Sequence, residues 1–220
     1  MPRTIGETGP RILRRASRTV CHLPFRFSAC ILPAVSVTGS GAVFPTAGGE
    51  PMGLDTHSFR MVMGSLAAGV TVVTTTDRQG QPRGLTATAI CSVSLDPPLI
   101  LVCIDRTADC YEAFQTAEVF AVNLLQESQA GVSRRFAQKD ARKFEGIGYR
   151  SGVTGAPILA DVLAHVECRI RARHPGGDHT ILVGEAVAHG LASSPDARSP
   201  LLHYQGGYAR LGGRLAADPS

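Results

Sequence analysis

The sequence predicts a mainly β fold, a closed antiparallel β-barrel with two or three helical insertions. About seven short apolar or β-branched runs are separated by turn residues, which is the pattern of a barrel or sandwich. Several runs follow one another with only turns between them, which disfavours a parallel α/β sheet. Tryptophan is absent and aromatic residues make up 5% of the 220 residues, so the core depends on aliphatic side chains, many of which suit strands.

The first predicted element is a helix. Phe59, Met63 and Leu66 recur at positions i, i+4 and i+7, so they share one helix face. Asp55 or Thr56 precedes them and suits the N-cap position.

Three strands are predicted next. The β-branched run VTVVTTT predicts a strand over 70–76, and the turn residues DRQG follow it. The hydroxyl-rich run over 85–94 predicts a second strand that ends before the double proline at 97–98. The wholly apolar run over 99–104 predicts the third.

Helices and further strands alternate in the second half. Thr107 is predicted to cap a helix that carries Tyr111 and Phe114, and residues 126–137 are predicted to form a helix with Phe136 facing inward. The other predicted strands are 119–125, 163–173, 180–188 and one or two short strands within 201–211, while 144–153 is predicted to be irregular.

The domain is predicted to span 52–213, between a disordered N-terminal extension (1–51) and a flexible tail (214–220). Residues 1–50 hold six arginines and two acidic residues, so the whole net charge of +4 falls there. Prolines interrupt every short apolar run of this stretch, which is typical of disorder. Three origins stay open: a start codon assigned too far upstream, a flexible tail, or a transit peptide.

Composition and motifs exclude several function classes. The charge-balanced domain argues against nucleic-acid binding, and no apolar run is long enough to predict a membrane span. The six cysteines form no CxxC pair or zinc spacing, and Cys91, Cys103 and Cys168 lie in apolar runs, so buried thiols in a reducing, cytoplasmic location are expected. The motifs GxxxxGK[ST], GxSxG and HExxH are absent, and the glycines at 146, 148 and 152 follow no apolar strand.

The segment GLTATAICSVSLDPP, over 84–98, is the most informative stretch. Thr86, Thr88 and Ile90 are expected to share one face of the strand. Small side chains would let a planar ring approach the backbone, and the hydroxyl and main-chain N–H groups could bind a phosphate or a ring edge. From the residues alone, a plain edge strand with solvated threonines is the favoured interpretation.

Six blocks between Phe59 and Leu211 resemble, in order, the flavin reductase-like family of FMN-binding split β-barrels. They are FRMVMGSLAAGVTVVTT, GLTATAICSVSLDPPLILVCI, FAVNLLQESQAGVSRRFA, GAPILADVLAHVECRI, GGDHTILVGEAV and PLLHYQGGYARL. The resemblance implies an antiparallel split β-barrel with flavin bound on the hydroxyl-rich segment. The residues that it assigns to flavin are Gly84, Leu85, Thr86, Ala87, Thr88, Ala89, Val102, Cys103, Ile104, Thr107, Arg135 and Phe136.

Individual roles also come from the resemblance. Thr107 would hold the flavin phosphate at a helix start, and Arg135 would meet the same phosphate while Phe136 packs. His179, which follows the turn Gly-Gly-Asp, would lie near the nicotinamide, with an exposed turn histidine as the alternative. Tyr208 would approach the pyridine nucleotide or a neighbouring subunit. The family often has serine where Ala108 stands, and an aromatic residue near Ile90, so flavin affinity and choice are in question there.

The implied function is that of a flavin reductase. NADH or NADPH would pass hydride from its C4 to N5 of FMN or FAD, with no protein acid or base required, and the reduced flavin would serve a separate monooxygenase. The resemblance also implies a homodimer. The alternatives are a relative of the pyridoxamine phosphate oxidases, against which the Gly-Asp-His block argues, and a non-catalytic flavin carrier or sensor.

Overall fold

The computed structural model describes residues 55–140, 142–193 and 198–213. The predictions for 1–51 and 214–220 lie outside these residues. The helices are α1 (Thr56–Gly64), α2 (Tyr111–Thr116) and α3 (Ala130–Ala137), and a 3₁₀ turn (Glu127–Gln129) precedes α3. The strands are β1 (Ala68–Gly69), β2 (Thr71–Thr76), β3 (Pro82–Ala87), β4 (Ile90–Leu95), β5 (Pro98–Asp105), β6 (Val119–Leu124), β7 (Tyr149–Ser151), β8 (Pro157–Leu159), β9 (Ala164–Gly176), β10 (His179–Leu191), β11 (Leu202–Tyr204) and β12 (Gly207–Ala209).

Seven antiparallel strands form the main sheet in the order β3-β2-β6-β9-β10-β5-β4. Its two edge strands, β3 and β4, are consecutive in the chain and only Thr88 and Ala89 separate them. Two residues cannot cross an open seven-stranded sheet, so the sheet curls until its edges meet. The Cys103 N–H donates to the Ala89 carbonyl at 3.0 Å, which continues the β4–β5 pairing up to the corner where β3 ends. The predicted barrel of about seven strands is confirmed.

Two apolar clusters lie on opposite sides of this sheet. The first fills the barrel with Val102, Ile104, Phe114, Phe120 and Leu182, all fully buried. The second packs α3 and the terminal segments on the outside of the sheet, and contains Val72, Leu125, Phe136, Leu159 and Leu201. Strand β2 is therefore covered on both faces, which explains why it reads as a continuous β-branched run with no polar alternation.

Turn chemistry fixes the hairpins that the sequence predicts. Gly177 has φ +70° in the turn between β9 and β10, a conformation that glycine adopts without steric cost. Gln205 and Gly206, with φ +47° and +78°, make the two-residue turn between β11 and β12. The predicted Gly-Gly-Asp turn is confirmed, and so are two short strands within 201–211.

Helix α1 begins where the sequence predicts, since the Asp55 carboxylate accepts hydrogen bonds from the main-chain N–H groups of His57 and Ser58. It ends at Gly64 and buries no residue. The helix therefore stops short of Leu66, which was predicted to share its apolar face. Phe59 and Met63 on the helix each expose about half of their surface, and Leu66 beyond it exposes more.

The segment predicted to be irregular over 144–153 contains β7, which pairs with β8. The loop between these strands is organised by a buried carboxylate on β9. Glu167, 1% exposed, accepts hydrogen bonds from the N–H groups of Val153 (3.1 Å) and Thr154 (2.7 Å) and from the Thr154 hydroxyl (2.7 Å). Burial alone would raise the pKa of Glu167, but the bonds from Thr154 and Val153 outweigh it and hold that pKa below its usual value.

Candidate functional site

The hydroxyl-rich segment turns a corner at Thr88 and Ala89. The prediction of one continuous strand over 85–94 is wrong, because β3 and β4 are separate strands at opposite edges of the curled sheet. Thr86, Thr88 and Ile90 consequently do not share one strand face. Thr86 is half-buried on β3, Thr88 is exposed at the corner, and Ile90 begins β4.

Strand β3 is an edge strand of the main sheet, so one of its sides, the open edge, has no strand partner. Main-chain groups of an antiparallel edge strand point alternately toward and away from the partner strand. The Gly84 carbonyl points away from β2, since it accepts a hydrogen bond from Lys143 Nζ at 3.3 Å. By this alternation, Thr86 also directs its main-chain N–H and C=O toward the open edge. The edge therefore offers a donor and an acceptor to a planar polar group.

The side chains between these residues face the core. Leu85 and Ala87 pack inside the barrel with Val102 and Ile104. Each of these residues can contact a bound ring only through its backbone or as a wall. Cys103 is half-buried on the other face of β5, and burial raises the pKa of its thiol.

An apolar groove of about 430 Å³ lies beside the corner. This volume falls within the range of small-molecule sites. Its lining includes Leu66, Gly69, Thr71, Thr88, Ile90, Leu124 and Leu163. The place where the sequence predicts a planar ring is therefore open, with apolar walls and one exposed hydroxyl.

The Thr86 hydroxyl is already engaged. It donates to the Ser133 carbonyl of α3 at 2.7 Å. The Ser133 hydroxyl, fully buried, accepts a hydrogen bond from the Tyr208 hydroxyl at 2.7 Å, and the Arg134 guanidinium lies 5.5 Å from the Tyr208 ring centroid. Ser133 thus ties the C-terminal hairpin to β3, a connection that sequence reasoning missed because serine within a helix carries no distinguishing pattern.

Thr107 lies in a turn rather than at a helix start. Helix α2 begins at Tyr111 and its N-cap, Cys110, makes no side-chain capping bond, so the predicted capping by Thr107 is wrong. The reason is local: the Asp105 carboxylate accepts the Thr107 N–H at 2.7 Å and closes a turn before the helix. Hydrogen bonds from Thr107, together with the nearby His179, hold the pKa of Asp105 below its usual value.

His179 begins β10 directly opposite Asp105 of β5. Its Nδ1 lies 2.7 Å from Asp178 Oδ1, and this hydrogen bond and the imidazole charge lower the pKa of Asp178. The Arg106 N–H donates to the Asp178 carbonyl at 3.0 Å. The structure therefore brings His179 to the turn that carries Thr107, as one site would require.

Arg135 and Phe136 point in different directions from α3. Phe136 is buried and packs beneath Gly84, where a Cβ would lie 3.0 Å from the Phe136 ring. The Phe136 ring also meets Phe144 edge-on, with centroids 4.9 Å apart. Arg135 is exposed, and its guanidinium donates to the Glu145 carbonyl. Phe136 therefore supports the glycine of β3, while Arg135 retains donors toward solvent.

The cysteine side chains differ in their exposure to solvent. Cys168 is fully buried as expected, and burial raises the pKa of its thiol to about 12. Cys91, expected to be buried, is exposed on edge strand β4. Over the residues that the structure describes, no group of His, Cys, Asp and Glu could hold a metal ion. No helix among them has the length and apolar character to cross a membrane.

Comparison with known proteins adds independent findings. A family model described as "Flavin reductase like domain" matches residues 63–212. A flavin reductase (NADH) of Kitasatospora aureofaciens is 43% identical over 159 residues, which cover 71% of this chain and 82% of the relative. The reductase subunit HsaB of a flavin-dependent monooxygenase from Rhodococcus jostii is 38% identical over 175 residues, covering 80% and 85%.

Among solved structures, the NADH:FAD oxidoreductase SgcE6 of Streptomyces globisporus, in complex with NAD and FAD fragments, superposes with a TM-score of 0.65 at 35% identity. The match covers 76% of this chain and 96% of that one.

Proposed function

The chain belongs to the flavin reductase-like domain family, and on that premise we propose that it transfers hydride from NADH or NADPH to FMN or FAD and supplies reduced flavin to a separate monooxygenase. Relatives with these activities in their names cover most of this chain. The observation that carries the proposal for this chain is the corner after β3, where the exposed Thr88 lines an apolar groove.

The residues fit a flavin with one polar edge and a phosphate-bearing chain. In our proposal, the main-chain N–H of Gly84, the main-chain groups of Thr86 and the Thr88 hydroxyl hold the polar edge of the ring. Ala87 and Ala89 allow its close approach, while the stretch Val102–Ile104 forms a wall. These contacts with flavin are made by backbone groups and short hydroxyl side chains, which suits a flavin that must dissociate after it is reduced.

The phosphate and the nicotinamide are assigned to the other end of the site. We assign the phosphate to the Thr107 turn and Arg135, whose guanidinium suits that anion. His179, at the same turn, would orient the nicotinamide carboxamide, and Tyr208 would approach the pyridine nucleotide or a neighbouring subunit. Flavin supplies the redox chemistry when bound, and the protein aligns the two rings and excludes water.

A homodimer and a cytoplasmic location complete the proposal. Support for the dimer comes from exposed apolar side chains, Phe59 and Met63 on α1 and Leu66 just after it, of which Leu66 lines the groove. Self-association would cover them. Support for the location comes from the free thiols Cys91, Cys103, Cys110 and Cys168. We also retain 52–213 as the extent of the domain.

Turnover tests the function directly. Purified protein is mixed with NADH or NADPH and excess FMN or FAD, and loss of the reduced-nicotinamide absorbance is followed. Flavin-dependent oxidation with at least one pair is expected. No oxidation with any of the four pairs would refute the reductase, and tight flavin binding without turnover would favour the carrier.

A further inference from the structure

A buried lysine lies at the open edge of β3. Lys143 is 5% exposed although it belongs to a charged stretch of the chain. Its Nζ lies 2.6 Å from Asp109 Oδ1 and 3.3 Å from the Gly84 carbonyl. Lysine is almost never buried to this degree without a partner, so the ion pair with Asp109 is what makes this position possible.

The ion pair joins three segments that are distant in sequence. Asp109 belongs to the turn between β5 and α2, Gly84 to the edge strand β3, and Lys143 to the loop after α3. Gly84 is also held from its other side, because a Cβ there would lie 3.0 Å from both the Phe136 ring and the Val73 carbonyl. The edge of β3 is thus fixed at Gly84 both by packing and by a charge-assisted hydrogen bond.

We propose that Lys143, neutralised by Asp109, is a positioning residue that holds the open edge of β3 in the geometry that flavin binding requires; this rests on the proposed function. Two of the three ammonium donors are directed at Asp109 and Gly84, and the side chain is shielded from solvent. Lys143 therefore acts on the flavin through Gly84 and not as a cation offered to the phosphate.

Flavins with and without phosphate distinguish these two roles. Riboflavin has the ring and ribityl chain of FMN but no phosphate. A residue that positions the ring-binding edge affects both ligands alike, whereas a residue that contacts the phosphate affects FMN alone. The variant Lys143→Met removes the ammonium and keeps an unbranched side chain. The double variant Lys143→Met, Asp109→Leu also removes the carboxylate that would otherwise lose its partner.

The matched control is Arg142→Met, which removes the same charge at the adjacent position from a side chain that is 72% exposed. Dissociation constants for riboflavin and FMN are measured by quenching of flavin fluorescence, and thermal unfolding verifies folding. We expect both Lys143 variants to bind both flavins about tenfold more weakly, the loss of one charge-assisted hydrogen bond. The Arg142 control should change riboflavin affinity by less than about twofold.

Two results would overturn the positioning role: unchanged affinities in both folded Lys143 variants, or weakening confined to FMN. If the single variant unfolds, the double variant decides. Failure of the unmodified protein to bind either flavin would instead remove the proposed function itself, and the positioning role with it.

Discussion

Replacing Glu167 with glutamine should destabilise the fold more than any comparable surface change. The carboxylate is 1% exposed and accepts three hydrogen bonds, two of them from main-chain N–H groups. A glutamine amide has the same shape but presents one oxygen and one NH₂ group, so at least one N–H of the 153–154 loop faces a donor. A buried unsatisfied N–H costs about 1–3 kcal/mol, and the remaining bonds lose their charge assistance. We therefore expect a total loss of about 2–4 kcal/mol.

The assay is urea unfolding at pH 7, with Glu185→Gln as the control. Glu185 lies on the adjacent strand β10 and its carboxylate pairs with Arg171 near the surface. Removing that partly exposed pair should cost less than about 1 kcal/mol. Equal, small losses in the two variants would refute the view that the Glu167 carboxylate organises the loop.

The pH dependence provides a second test with a definite sign. Since the folded pKa of Glu167 is depressed, its ionised form contributes stability that is fully present above its ordinary value of 4.5 and is lost as the pH falls through the folded pKa. The stability gap between the unmodified protein and Glu167→Gln should therefore shrink as the pH drops below 4.5. A gap that widened with acidification would contradict the assignment.

Three further predictions concern the site and the dimer. Thr86→Val should cost about 1–2 kcal/mol in unfolding free energy because the Ser133 carbonyl loses its donor. Flavin affinity should stay within about threefold. A large affinity loss in a stable variant would mean that the hydroxyl itself contacts flavin. His179→Ala should raise the KM for NADH about tenfold and leave the flavin Kd unchanged, so equal losses in both would end its nicotinamide role. Met63→Glu should shift the protein toward monomer in light scattering, and an unchanged mass would remove α1 from the interface.

Local chemistry made much of the fold predictable. The β-branched run of β2 and the apolar run of β5 need no distant partner to indicate strands. Gly177 and Gly206 mark their turns because each adopts a positive φ. The β7–β8 hairpin was missed since its loop is organised by Glu167, which is 13 residues from Thr154 in the chain and carries no local signal of that role.

The site was harder to predict because its main features depend on contacts between distant segments. Alternation of apolar and hydroxyl residues continues unbroken through Thr88 and Ala89, so nothing in the segment marks the corner. The burial of Lys143 depends on Asp109, which is 34 residues away in the chain. From the sequence alone, Lys143 cannot be distinguished from an ordinary solvent-exposed lysine. The resemblance to the family points to this segment as the flavin site, but the engagement of Thr86 with Ser133 follows only from the packing of α3 on β3.

The corner also explains why a barrel of this kind has a place for a ligand. An edge strand carries main-chain groups that must find partners, and an uncovered edge invites unwanted pairing. Here the carbonyl of Gly84 is covered by Lys143, whereas Thr88, just past the end of β3, lines the groove. A bound ring that hydrogen-bonds to the main-chain groups of β3 would supply the partners that this edge lacks. If so, substitutions at Leu85 or Ala87 should affect flavin binding only by changing the core volume beneath the strand, since both side chains face the barrel interior.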